Sequence, residues 1–353
     1  MRKPLLFVAT SLAGTLGLGL ATGAHAQYNL LSDGPQIELR DLVARVVVTP
    51  EARSDIDIKV RYGAAKVPTL MVSHRGNVTV LNGHLDTPEK SMDFRINFSK
   101  THEQTVVGSV DIAGVGNVAV SDLPLVLVRV PENAVVKDSG YVFGRIGPSK
   151  SLDFVMNGGG DWVVDPVSGP LNVISSGAGN IRLSNAGDSI IDSMGSGDIS
   201  IDSAQGLKVA LSGSGNFSAA NAADTELQNQ GSGDVDLSHV RNLKVELNGS
   251  GDLSLSSVNG AFTLINNASS DVTVGKIYGP ITLNLSGSGD IGIDGGQAPS
   301  FALTGSGSGD VAFGGTTGTV TIDSNGSGDI SITKATGQVV SHVIGSGEMH
   351  IGH

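Results

Sequence analysis

One tetrapeptide recurs with a near-constant period, and that rhythm limits what this chain can become. Gly-Ser-Gly-Asp stands at Gly195–Asp198, Gly231–Asp234, Gly249–Asp252, Gly287–Asp290, Gly307–Asp310 and Gly326–Asp329. Close variants fill the gaps: Gly158–Asp161, Gly177–Asn180, Gly213–Asn216, Ala268–Asp271 and Gly345–Glu348. The last residue of each unit falls at 161, 180, 198, 216, 234, 252, 271, 290, 310, 329 and 348, so every interval is 18 to 20 residues long. A fixed period of this length is the signature of a repeat architecture, in which each unit buries its apolar face against the next.

The grammar inside each interval is that of strands. Apolar residues alternate after the turn, as in Ile199/Ile201, Val235/Leu237 and Ile291/Ile293. A second run leads into the next turn, as in Leu207/Val209/Leu211 and Leu243/Val245/Leu247. A period of two buries one face of a strand. Each repeat therefore reads as strand, turn, strand, turn, one coil of a solenoid whose rungs lie about 4.8 Å apart. The expected fold is all-β: a right-handed parallel β-helix (β-solenoid) of about eleven coils over residues 136–353, the handedness following the usual sense of parallel connections. Antiparallel hairpins are the rival explanation of the same pattern.

Residues 27–135 lack the repeat but still read as strands, at Ile37–Val48, Ile56–Val60, Leu70–Val80, Phe94–Phe98 and Leu123–Val130. This irregular β region is expected to run into the solenoid and cover its first rung. Ahead of it, Arg2 and Lys3, an apolar stretch from Pro4 to Leu20 and Ala24-His25-Ala26 have the layout of a secretory signal peptide over residues 1–26. Export to the periplasm or cell surface of a Gram-negative bacterium is the expectation, with no membrane span in the mature chain. The absence of cysteine removes disulfides and thiol chemistry, and a formal charge of −12 argues against nucleic acid as partner.

The string Gly-Ser-Gly-Asp-(Ile/Val/Leu)-x-(Ile/Leu) at this period, with the segment Leu125–Pro131 before it, resembles the head GIN domain family of auto-transporter adhesins. The resemblance covers roughly residues 36–350. It implies an exported β-helical fold and supplies no catalytic residues.

Two kinds of chemistry compete at the turns. Gly195, Gly197, Gly231, Gly233, Gly249, Gly251, Gly287, Gly289, Gly307, Gly309, Gly326 and Gly328 are expected to be structural, supplying positive φ, while the Asp or Asn that follows bonds its own local backbone. The competing reading makes Asp198, Asp234, Asp252, Asp271, Asp290, Asp310 and Asp329 a row of calcium ligands. Asn180 and Asn216 occupy the same position without charge, which favours the structural role, so no cofactor is expected and calcium is the alternative.

Elsewhere the candidates are sparse. Coils this short leave no room for cleft-forming loops between residues 161 and 348, and Arg182 and Arg241 are isolated. A carbohydrate-active enzyme would need two carboxylates at a defined separation. His84-Leu85-Asp86 and His102-Glu103 are the suggestive groups in the N-terminal part. His342, His350 and His353 match no zinc spacing, and Trp162, the sole Trp, reads as a core plug. The expected function is a non-enzymatic, adhesin-like envelope module that presents a repetitive acidic, polar surface to a glycan or protein partner. Self-association through the last coil is an added expectation. A polysaccharide lyase or hydrolase and a calcium-stabilised solenoid are the alternatives.

Overall fold

A computed structural model describes residues 35–85, 108–112 and 114–353 of the chain. The signal-peptide segment, the expected strand at Phe94–Phe98, and Asp86, His102 and Glu103 lie outside these residues.

The chain is a parallel β-solenoid of about twelve stacked coils. From Asn180 onward each coil pairs in parallel with the next over most of its length. Ile199 is opposite Phe217, Phe217 opposite Val235 and Val235 opposite Leu253, so the alternate apolar residues form continuous inward columns. Ile199, Phe217, Val235, Leu253 and Val272 are all about 1% exposed. Full burial of such a side chain stabilises the fold by about 1.5–3 kcal/mol. The second corner is laddered too: Asn185 and Ala186 pair with Ser203 and Ala204, which pair with Asn221 and Ala222. The coil is thus strand, short corner strand, strand, turn.

The first rungs are wound differently. β1 (Gln36–Glu51) takes on one edge β8 (Asn133–Ile146), in parallel, from Gln36↔Val135 to Val48↔Ile146. Its other edge carries β4 (Val78–Asn82) and β7 (Leu125–Pro131), again in parallel. β2 (Asp57–Arg61) then closes β7, and β3 (Met71–Arg75) closes β4, both antiparallel. The chain therefore lays one rung outward from β1, then crosses back to continue on β1's far side. β8 passes to β9 (Ser151–Met156) and β10 (Asp161–Val164), and these to the first regular coils. The expected boundary at residue 135/136 falls inside β8. The single strand expected over Leu70–Val80 is a hairpin, because Gly76, at φ +64°, reverses the chain between β3 and β4. β5 (Ser109–Ile112) and β6 (Gly116–Ala119) form a further hairpin that was not expected, although Val110/Ile112 and Val118/Val120 alternate on either side of Gly114 and Gly116.

The glycines of the turns are needed for a different reason from the one expected. None of the twelve has a positive φ. What forbids a side chain there is the coil below: a Cβ on any of them would lie 1.6 to 2.1 Å from a main-chain carbonyl oxygen of the preceding turn. The same carbonyls hold the turns together, since the N–H of Ser196 donates to Gly177 O, that of Ser214 to Gly195 O and that of Ser232 to Gly213 O, each at 3.1 Å. One turn, Ala268–Asp271, carries Cβ atoms at both positions, and there Ser270 Oγ donates to Gly249 O at 3.1 Å.

Gly251→Val tests this contact, because its Cβ would meet Gly233 O at 2.0 Å. Overpacking against backbone costs about 3 kcal/mol or more, so the melting temperature should drop sharply. Gly292, on an outward column with nothing within 4 Å of a built Cβ, is the control. Gly292→Ala should be neutral or stabilise by roughly 0.5 kcal/mol.

Candidate functional site

The turn edge is the most regular polar surface of the molecule, and its carboxylates are tied into the stack. The N–H of Asp198 donates to Asn180 Oδ1 (2.9 Å), that of Asn216 to Asp198 Oδ1 (2.8 Å) and that of Asp234 to Asn216 Oδ1 (2.9 Å). The same bond recurs from Asp252 to Asp234 (3.0 Å), Asp271 to Asp252 (2.9 Å) and Asp290 to Asp271 (2.9 Å). It continues from Asp310 to Asp290 (2.8 Å), Asp329 to Asp310 (2.8 Å) and Glu348 to Asp329 (2.7 Å). Each side chain bonds the backbone of the next coil, not its own local backbone as expected. Only an acceptor oxygen is required, which is why Asn and Asp interchange.

Asp234, Asp252, Asp271, Asp290, Asp310 and Asp329 stand on consecutive coils, whereas Asn216 separates Asp198 from them. Adjacent carboxylates about 5 Å apart repel by about 1 kcal/mol in water, and the N–H bond to each offsets that cost. Among the described residues no three His, Asp or Glu side chains converge as a metal site. His342 lies opposite Asp323, and His350 opposite Ser331, both exposed.

Beside the Asp column runs a groove of about 690 Å³ over the last coils, lined by small polar residues such as Ser286, Ser288, Ser306, Ser308 and Ser327. No helix among the described residues is long and apolar enough to cross a membrane. Asp290 probes the column. Asp290→Asn keeps the acceptor and should change stability by less than about 0.5 kcal/mol. Asp290→Ala leaves the Asp310 N–H without it and should cost about 1 kcal/mol by chemical denaturation.

A second polar set is buried, and the alternation of the sequence concealed it. Asn229 and Asn266 occupy inward positions just before a turn and are 1% exposed. Asn229 Oδ1 accepts from the Gly231 N–H (3.0 Å) while its Nδ2 donates to Gly233 O (2.9 Å). Asn266 does the same with Ala268 and Ser270, at 3.1 and 2.8 Å. Asp138 holds the corresponding place in β8: its Oδ1 accepts from the Gly140 N–H at 2.8 Å. Its Oδ2 accepts from Trp162 Nε1 at 2.8 Å. The partner selects the residue: an amide where the second group is a carbonyl, a carboxyl where it is an indole N–H. Trp162 is 1% exposed, edge-on to Phe154 with ring centroids 5.0 Å apart, and is a core residue. The usable signal was a polar residue at an inward position of a period-two run.

Burial, against the two hydrogen bonds, pushes the Asp138 carboxyl up to about 7 from an ordinary 3.8. Asp161, also raised chiefly by burial, acts in the same direction. Folding therefore favours the protonated Asp138. Its contribution, about 4 kcal/mol, is present in full below pH 3.8 and is lost as pH rises through about 7. Melting temperature should fall between about pH 4 and pH 7. Asp138→Asn, which turns an N–H donor toward Trp162, should be less stable at pH 5 yet show a flatter profile.

A family model described as "Putative auto-transporter adhesin, head GIN domain" matches residues 45–223 and again residues 217–352. No curated protein and no solved structure matches the chain. The two matches together span the outward rung at β7, the polar columns and the last coils, and the chain belongs to the head GIN domain family.

Proposed function

We propose that this protein is an exported, non-catalytic envelope module that binds an extended glycan or protein partner along its turn edge. The observation that carries the reading is the pair of parallel polar columns. Six consecutive Asp side chains each spend Oδ1 on the next coil and take no protein donor on the other oxygen among the described residues. A serine-lined groove runs beside the last four of them with the same rung spacing. Such a surface offers many weak, equally spaced contacts to a polymer that repeats on a similar length, and the rigid stack removes the cost of ordering the binding face. Membership of an adhesin-like family agrees with binding rather than turnover.

We propose self-association through the last coil as a second part of this reading. Val339–Val343 and Met349–Ile351 each pair on one edge, with Val340 52% and Ile344 71% exposed.

A glycan array probed with the mature protein, followed by an assay for released products, tests the proposal. Saturable binding without product is expected. Product release from any bound polysaccharide would contradict it, as would a failure to bind any glycan or envelope protein.

A further inference from the structure

The second corner of the coils carries a trough that the repeat pattern does not require. Register places Asp188, Gly206, Asp224 and Asn242 in one column. Ile190, Lys208, Glu226, Lys244 and Thr263 stand in the next outward column. Gly206 has no side chain and Ala223 and Ala261 have short ones, so the surface sinks between longer walls into a trough of about 990 Å³.

Its charge is unusual for this molecule. Seven Lys and Arg residues follow Gly147, and three of them, Lys208, Arg241 and Lys244, line the trough. Two are committed to carboxylates. Arg241 Nη2 and Nε donate to Asp224 Oδ2 and Oδ1 at 2.6 and 3.2 Å. Lys208 Nζ lies 3.3 Å from Glu226 Oε2. With Asn242 Nδ2 also donating at 2.7 Å, Arg241 and Asn242 hold the Asp224 carboxyl below its ordinary range, so it stays charged. Lys244 is exposed and makes no ion pair among the described residues. Of the trough's three cations Lys244 alone makes no ion pair among the described residues, with Glu226 one rung away in its column and the exposed carboxylate of Asp188 about three rungs away, roughly 14 Å.

We propose that this trough binds a uronate-containing glycan, with Lys244 receiving a sugar carboxylate and Asp188 and Gln205 receiving ring hydroxyls. The floor at Gly206 and Ala223 lets a saturated ring approach the backbone. A phosphate ligand fits poorly: the guanidinium fork is occupied by Asp224, and strand N–H groups here are spent on the inter-coil ladder. A nucleobase finds no aromatic lining to stack on. The proposal rests on the reading of the solenoid as a glycan-binding module and adds to the turn edge a second, separate site with its own ligand class.

Titration calorimetry with oligogalacturonate, oligomannuronate and the methyl ester of the former tests it, using the mature chain, Lys244→Gln and the control Lys334→Gln. An acidic oligomer should bind wild type and the control, more weakly as salt is added. Lys244→Gln should lose about tenfold in affinity for the acid form, the worth of one charge-assisted contact, with weak binding of the ester unchanged. Equal binding of acid and ester, or a Lys244→Gln variant indistinguishable from wild type, would overturn the site while leaving glycan binding intact. Absence of binding to all three oligomers would overturn the site too, and an empty glycan array would overturn the broader reading with it.

Discussion

Everything regular in this molecule depends on how closely one turn is laid over the next. A main-chain carbonyl oxygen of each Gly-x-Gly turn occupies the place that a side chain of the turn above would need. At all of the turns but Ala268–Asp271, two coils approach to strand-pairing distance because those positions carry no side chain. The contact fixes the phase of every coil, because a slip of one residue would drive a Cβ into a carbonyl and send the inward Ile, Leu and Val columns to the solvent side. Glycine in the mirror-image region of backbone space would satisfy a single turn. Glycine as absent bulk is what a stack of turns requires.

Side-chain oxygens then add to the stack at the turns. On the outer edge the Asp or Asn after the turn accepts from the next coil, and repetition converts one hydrogen bond into a column. On the inner edge Asn229, Asn266 and Asp138 brace their own turns, each matched to a carbonyl or an indole N–H. Asp138 is the one ionisable brace of the three, and burial raises its carboxyl above the ordinary range.

The repeat and the alternation were enough to read the solenoid, its period and its inward columns, because those features are local and periodic. Three features were not legible. β1 pairs with β8 about a hundred residues later, and no local pattern encodes a rung laid outward before the main stack begins. Trp162 meets Asp138 across 24 positions, which only the stacked geometry brings together. The trough at Lys244 arises from residues one coil apart whose columns become visible only once the register is known, although Arg241 stood out in the sequence as an isolated cation. The polar columns were visible as composition, and their chemistry was misassigned to local turns because a single repeat shows no neighbour.

The central claim is that each repeat is one rung laid in parallel and in register on the last. Ser200, Ser218, Asp236, Ser254 and Thr273 form one outward column, which continues through Gly292 and Ala312 to Ser331. The chain has no native cysteine, so spin labels can be placed at Ser200 with Thr273 and at Ser200 with Ser331 without background. Pulsed electron–electron resonance should give backbone-corrected separations near 19 Å and 34 Å, four and seven rungs at about 4.8 Å each. Separations that do not grow in proportion to the number of repeats would contradict the stacking on which the columns, the braces and the trough all depend.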